Sequence, residues 1–173
     1  MPGKELQFTL QGQQQSNWCW AATAASTADY YQPVPVHPQC FLVEDMFGDS
    51  DCCSDGSTEA CNKPAYMNHA LEQVGHYAHA DSGSAAFAAV AGEIDAERPV
   101  IANIDWLGGG THFPVITGYL ETPSTGDPLG FPVPLQYLKI QDPAVMGHHW
   151  LIYDVFRTIY NGIGTWTYTF YTR

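Results

Sequence analysis

The spacing of apolar residues changes near the middle of the chain. Between Ser84 and Glu97, Phe87, Val90 and Ile94 recur at intervals of three and four, the period of a helix with one buried face. Upstream, Ala21, Ala22, Ala24, Ala25 and Ala28 predict a helix from about Trp18 to about Tyr31, with Ser16 or Asn17 as its cap. Three prolines between Gln32 and Pro38 end it. A short helix is expected over Phe41 to Phe47, and another over Ala65 to Val74, opened by Pro64 and stopped by Gly75. After Pro99 the period shortens. Val100 to Trp106, VIANIDW, reads as a strand, followed by the triple glycine 108–110 and a second strand from His112 to Leu120. Tyr137 to Gln141 is a third, and in Thr165 to Thr172 threonines alternate with aromatics as in a strand. Glu121 to Gln136, with four prolines and two glycines, reads as a long loop. Trp150 to Tyr160 fits either helix or strand, and His148-His149 falls in a loop. Helices first and strands second predict an α+β fold with an antiparallel sheet.

Composition narrows the function classes. At 173 residues and 45% hydrophobic, the chain is expected to form a single domain with its own core. No stretch has the length of a membrane span, and the start, MPGKELQFTL, lacks the basic-then-apolar pattern of a signal peptide. Six Lys and Arg against 18 Asp and Glu leave a net charge of −12, which repels phosphate backbones and anionic lipid. Neither nucleic acid nor a membrane is therefore an expected partner. The charge suits a basic protein substrate or inhibitor, and equally well simple solubility.

Cysteines stand at 19, 40, 52, 53 and 61. Four of them form a cluster, Cys40 to Cys61, while Cys19 is isolated, the pattern of two disulfides and one free thiol. A bridge between the vicinal Cys52 and Cys53 is disfavoured, so each pairs with Cys40 or Cys61, which leaves two connectivities. The rival is a zinc site that recruits His69, disfavoured because paired C-x-x-C units are missing. Disulfides imply export from the reducing cytosol.

Cys19 lies in QQQSNWCWAA, at the start of the alanine-rich helix. The free N–H groups and partial positive charge of a helix start favour a thiolate. A thiol nucleophile also needs an imidazole, held in turn by a third group. His112, straight after the glycines, and Asp142, at a strand end before Pro143, are the candidates, since neighbouring antiparallel strands can bring such ends together. Each residue has a plainer reading: a buried packing cysteine, a turn histidine, a loop-capping aspartate. The order of the three and their placement on the elements favour the chemical reading. His76 and His79 could form half a metal site but lack an evident partner. The chain has no H-E-x-x-H, no G-x-S-x-G and no phosphate-loop lysine after its glycines.

WCWAA after a glutamine run resembles the nucleophile segment of the papain-like cysteine peptidases, in particular their AvrRpt2-like bacterial effector branch. QCFLVEDMFGDSDCCSDGSTEACNKP is similar to that branch's cysteine-rich insertion, RPVIANIDWLGGGTHFPVITGY to its histidine strand and LKIQDP to its acid strand. WLIYDVF and GTWTYTFY are similar to its closing segments. The resemblance implies a two-lobed papain-like fold over residues 1–173. A helical lobe would span about 16–97, and a lobe of antiparallel sheet or barrel about 98–173 plus the N-terminal strand. It implies Cys19 as nucleophile, His112 as general base and acid, and Asp142 as the group that orients the imidazole. Gln13 becomes the oxyanion-hole donor, with Gln14 and Gln15 close enough to take its place. No cofactor and no metal are expected. The resemblance further implies a secreted or delivered effector or toxin that cuts a specific protein and can be blocked by an immunity or inhibitor protein; a monomer is expected, since nothing in the sequence calls for an oligomer. The same apparatus also serves amidases, deamidases and transglutaminases, and the fold can persist as a non-catalytic binding module or a disulfide-stapled structural domain.

Overall fold

The structure is a computed structural model that describes residues 2–32, 37–48, 51–123 and 134–173. Its elements in chain order are β1 (Gly3–Glu5), α1 (Cys19–Tyr31), α2 (Gln39–Phe47), α3 (Met67–Gln73), β2 (Tyr77–Ser82), α4 (Phe87–Asp95), β3 (Val100–Trp106), β4 (Thr111–His112), β5 (Val115–Thr122), β6 (Leu135–Asp142), β7 (Val145–Ile152), α5 (Tyr153–Ile159) and β8 (Gly164–Thr172). The strands make one antiparallel sheet in the order β2-β8-β3-β5-β6-β7, with β1 added on β5 and β4 on β3. The fold is α+β: α1, α2 and α3 pack on one another, and the sheet forms the other half. The α4 helix lays Phe87, Val90 and Ile94 toward the core and packs on β1, β3 and β5.

The α1 helix occupies the middle. Every residue from Cys19 to Ala28 is buried, which the alanines permit because they let neighbours approach closely. Its polar members are satisfied inside: Ser26 and Thr27 donate to the carbonyls four residues back, and Thr23 donates to Phe113 O at 2.6 Å. That last bond crosses from α1 to the sheet. The bridges are Cys40–Cys53 and Cys52–Cys61, which chooses between the two open connectivities and removes the zinc reading of the cluster. Cys19 is free.

Several sequence readings need correction. Helix α4 is shorter than Ser84 to Glu97, and α3 starts two residues after Ala65. The strand expected over His112 to Leu120 is split into β4 and β5 at Phe113-Pro114. Pro114 brings no N–H to the ladder, yet one register runs through, from Ile104↔His112 to Ile101↔Val115. The ambiguous segment 150–160 divides into the end of β7 and α5, and His148-His149 lies on strand β7, not in a loop. The expected loop shrinks at both ends, since β5 runs to Thr122 and β6 starts at Leu135; its centre lies outside the described residues.

Gly164 sets a close approach. A Cβ there would lie 2.6 Å from Ile104 Cγ2 and 2.7 Å from Trp106 Cζ3, so glycine lets the Trp106 ring lie flat across β8. Gly164→Ala is expected to cost about 1–3 kcal/mol through overpacking. The check is a lower urea midpoint at an unchanged m-value.

Candidate active site

Three elements meet at one cavity of about 260 Å³, lined among others by Gln13, Asn17, Cys19, Trp106, His112 and Asp142. Cys19 is the first residue of α1, 7% exposed, so its N–H has no intrahelical acceptor. The helix has no side-chain cap: its N-cap position is Trp18, and Ser16 and Asn17 turn their side chains to Asn62 instead. Both tryptophans that flank the cysteine are anchored behind it. Trp18 Nε1 donates to Cys61 O at 2.9 Å, and Trp20 Nε1 to Lys63 O at 3.0 Å.

His112 sits on β4 after the Gly108-Gly109-Gly110 turn, where positive φ of 93° and 92° at the last two glycines brings the chain back along β3. Asp142 is the last residue of β6, which pairs with β5 so that Gln141 lies opposite Val115. The two strand ends therefore meet, and His112 Nε2–H donates to Asp142 Oδ1 at 2.6 Å, with both side chains buried. Asp142 also accepts from the Ala144 N–H at 2.8 Å and, on Oδ2, from the Tyr160 hydroxyl at 2.5 Å. Trp106 stacks on both His112 and Tyr160, with ring centroids 5.9 and 6.1 Å apart, and covers the pair.

Burial disfavours the charged imidazole, but its hydrogen bonds to Asp142 and Cys19, and their charges, outweigh it and hold His112 up at about 9. Burial likewise pushes the Asp142 carboxyl up; His112, then Tyr160 and the Ala144 N–H, more than reverse this and leave it below its ordinary value. Tyr160 is driven far above the usual phenol range by burial first and Asp142 second, which keeps it a donor. With Nε2 committed to the carboxylate, Nδ1 is the ring nitrogen left for the Cys19 sulfur.

The structure thus brings Cys19, His112, Asp142 and Gln13 to one cavity. Gln14 and Gln15 do not line it. The Gln13 amide is turned toward main chain: Nε2 donates to Gln15 O and Ser16 O, each at 3.0 Å, while buried Oε1 has no partner. The Gln13 N–H reaches Pro143 O at 2.8 Å, next to Asp142. The other histidines lie elsewhere. His76 holds Arg173 O and stacks on Tyr31, and His79 stacks on Tyr171. Sequence reasoning missed Tyr160, Trp106 and Asn62. Trp106 had a faint signal, as an aromatic at a strand end beside the glycine turn, and the other two had none.

A helix-borne cysteine facing a buried histidine–aspartate pair, between helices and an antiparallel sheet, is the architecture of the papain-like cysteine proteases. The family described as papain-like cysteine protease AvrRpt2 matches residues 3–158, and the chain belongs to it. No curated protein matches the chain.

Replacing Tyr160 with Phe leaves a buried carboxylate oxygen short of one donor. Tyr160→Phe is expected to lose about 1.5–3 kcal/mol of stability, the range for a hydrogen bond to a charged group, read by chemical denaturation.

Proposed function

We propose that the protein is a cysteine endopeptidase in which Cys19 is the nucleophile and His112 the general acid and base, positioned by Asp142. The observation that carries this reading is the free cysteine at the first residue of a buried helix, in one cavity with an imidazole already bonded to a carboxylate. The Cys19 sulfur attacks a peptide carbonyl carbon, and the C=O electron pair moves onto oxygen. Collapse of that intermediate expels the amine, which takes its proton from His112 Nδ1. The neutral imidazole then takes a proton from water as it attacks the thioester, and the acid product leaves with Cys19 restored. The Cys19 N–H and one Nε2–H of Gln13, released from the Gln15 carbonyl while the Ser16 carbonyl keeps the other, hold the oxyanion. In comparable sites one such donor is worth about 3–4 kcal/mol.

The substrate is read as a specific protein, which an adjoining chamber of about 740 Å³, lined by Tyr66, Phe113, Tyr168 and Phe170, has room to engage. The acidic surface favours a basic target. Two disulfides agree with a secreted or delivered bacterial effector or toxin, acting as a monomer and open to blockade by an immunity or inhibitor protein. Intact mass of a treated target separates this from the rivals on the same fold: a cut chain, against a one-dalton gain for deamidation or a cross-link for transglutamination.

Iodoacetamide is expected to add once to the native protein, at Cys19, the one cysteine outside the two disulfides. His112→Ala should slow the addition by about tenfold or more, followed by intact mass. Absence of addition in the wild-type protein would sink the enzyme reading.

The leaving amine needs a protonated imidazole, and His112 holds its proton up to about 9. Peptidase turnover should therefore fall as pH rises through about 9. Alkylation of Cys19, which needs only the thiolate, should not fall over the same range.

A further inference from the structure

We infer that Asn62 is the positioning residue for the oxyanion donors. The inference rests on Cys19 being the nucleophile. Asn62 follows the buried half-cystine Cys61, so its backbone is fixed by the Cys52–Cys61 bridge, and its N–H is held by Thr58 O at 2.8 Å. From there it grips the segment ahead of α1 at three points. Its Oδ1 accepts the Asn17 N–H at 2.9 Å, its Nδ2 donates to Ser16 Oγ at 2.9 Å, and its carbonyl accepts Asn17 Nδ2 at 2.9 Å. Trp18 Nε1 and Trp20 Nε1 add bonds to its two neighbours, Cys61 and Lys63.

This grip reaches both proposed donors. The Ser16 carbonyl is one of the two that hold Gln13 Nε2, so fixing residue 16 fixes that amide. Asn17 lies two residues before Cys19, so fixing its N–H sets where the first peptide of α1 points its own N–H. A helix start without a side-chain cap has no other device of its own for this purpose. Asn62 itself does not line the cavity, and its effect passes through residues 16 and 17.

Two probes of the same sulfur separate positioning from general support. With leupeptin, a peptide aldehyde, the Cys19 sulfur bonds the aldehyde carbon and the C=O electron pair moves onto oxygen. That oxygen lies in the oxyanion hole or takes the proton from His112. Iodoacetamide alkylates the sulfur with loss of iodide and builds no oxyanion. In the full chain, Asn62→Ala is expected to weaken leupeptin by about tenfold, a donor displaced and not deleted, while the alkylation rate stays within about twofold. Asn62→Asp should recover most of the affinity, since its carboxylate still accepts the Asn17 N–H and the Ser16 hydroxyl can rotate to donate. Unchanged leupeptin affinity in Asn62→Ala overturns the inference. So does a loss matched by an equal fall in alkylation and melting temperature, with Asn62→Asp no better. If the wild-type protein neither alkylates nor binds the aldehyde, the nucleophile reading has failed and the positioning role fails with it. If the wild type does both and Asn62→Ala matches it, only the positioning role fails.

Discussion

Everything at the cavity depends on how α1 is seated against the sheet. A helix buried on all sides from Cys19 to Ala28 can present few polar atoms, and each must find a partner inside. Thr23 meets that demand by donating across to Phe113 O, one residue beyond His112. Gln13 makes a second crossing, from just ahead of the helix to Pro143, one residue beyond Asp142. Cysteine, histidine and aspartate thus come from three separate parts of the chain, yet two short hydrogen bonds lie next to the side chains and tie those parts together. Breaking either would leave a buried acceptor or donor unpaired, at about 1–3 kcal/mol, so the seating is specific and not merely compact.

The buried ion pair follows the same logic. A carboxylate and an imidazole in an apolar interior are costly unless every lone pair and proton is used. Asp142 spreads its charge over His112, Tyr160 and the Ala144 N–H, and the Trp106 ring, given room by Gly164, stacks on both His112 and Tyr160. The sheet therefore supplies a preformed imidazole–carboxylate unit, the helical half supplies the sulfur, and the disulfide loop behind the helix supplies its anchors.

Much of this was legible in the sequence because it rests on local pattern. The bounds of β3 agree with the reading of VIANIDW, β8 with its alternating threonines, and α1 with its alanines. Strand β2, YAHADS, was missed because it is half-exposed and owes its form to pairing with β8, which no local periodicity encodes. His148-His149 reads as loop for the same reason, since an edge strand with exposed side chains has no buried face to mark it. At the site, residue types that carry chemistry could be nominated from spacing. The partners that hold them could not: Tyr160 reaches Asp142 from the turn after α5, and Asn62 reaches Asn17 across 45 positions. Capping failed for a related reason, because tertiary partners claimed Ser16 and Asn17 before the helix could use them.

The five cysteines place opposite demands on the surroundings. In its proposed role Cys19 is competent only while it is reduced, whereas the segment that carries the anchors of Trp18 and Trp20 is pinned by a bridge that exists only while it is oxidised. A strongly reducing medium rescues the first and dissolves the second, and a strongly oxidising one does the reverse. The molecule is thereby confined to a band of redox potential, with its floor set by the stapled loop and its ceiling by the lone thiol.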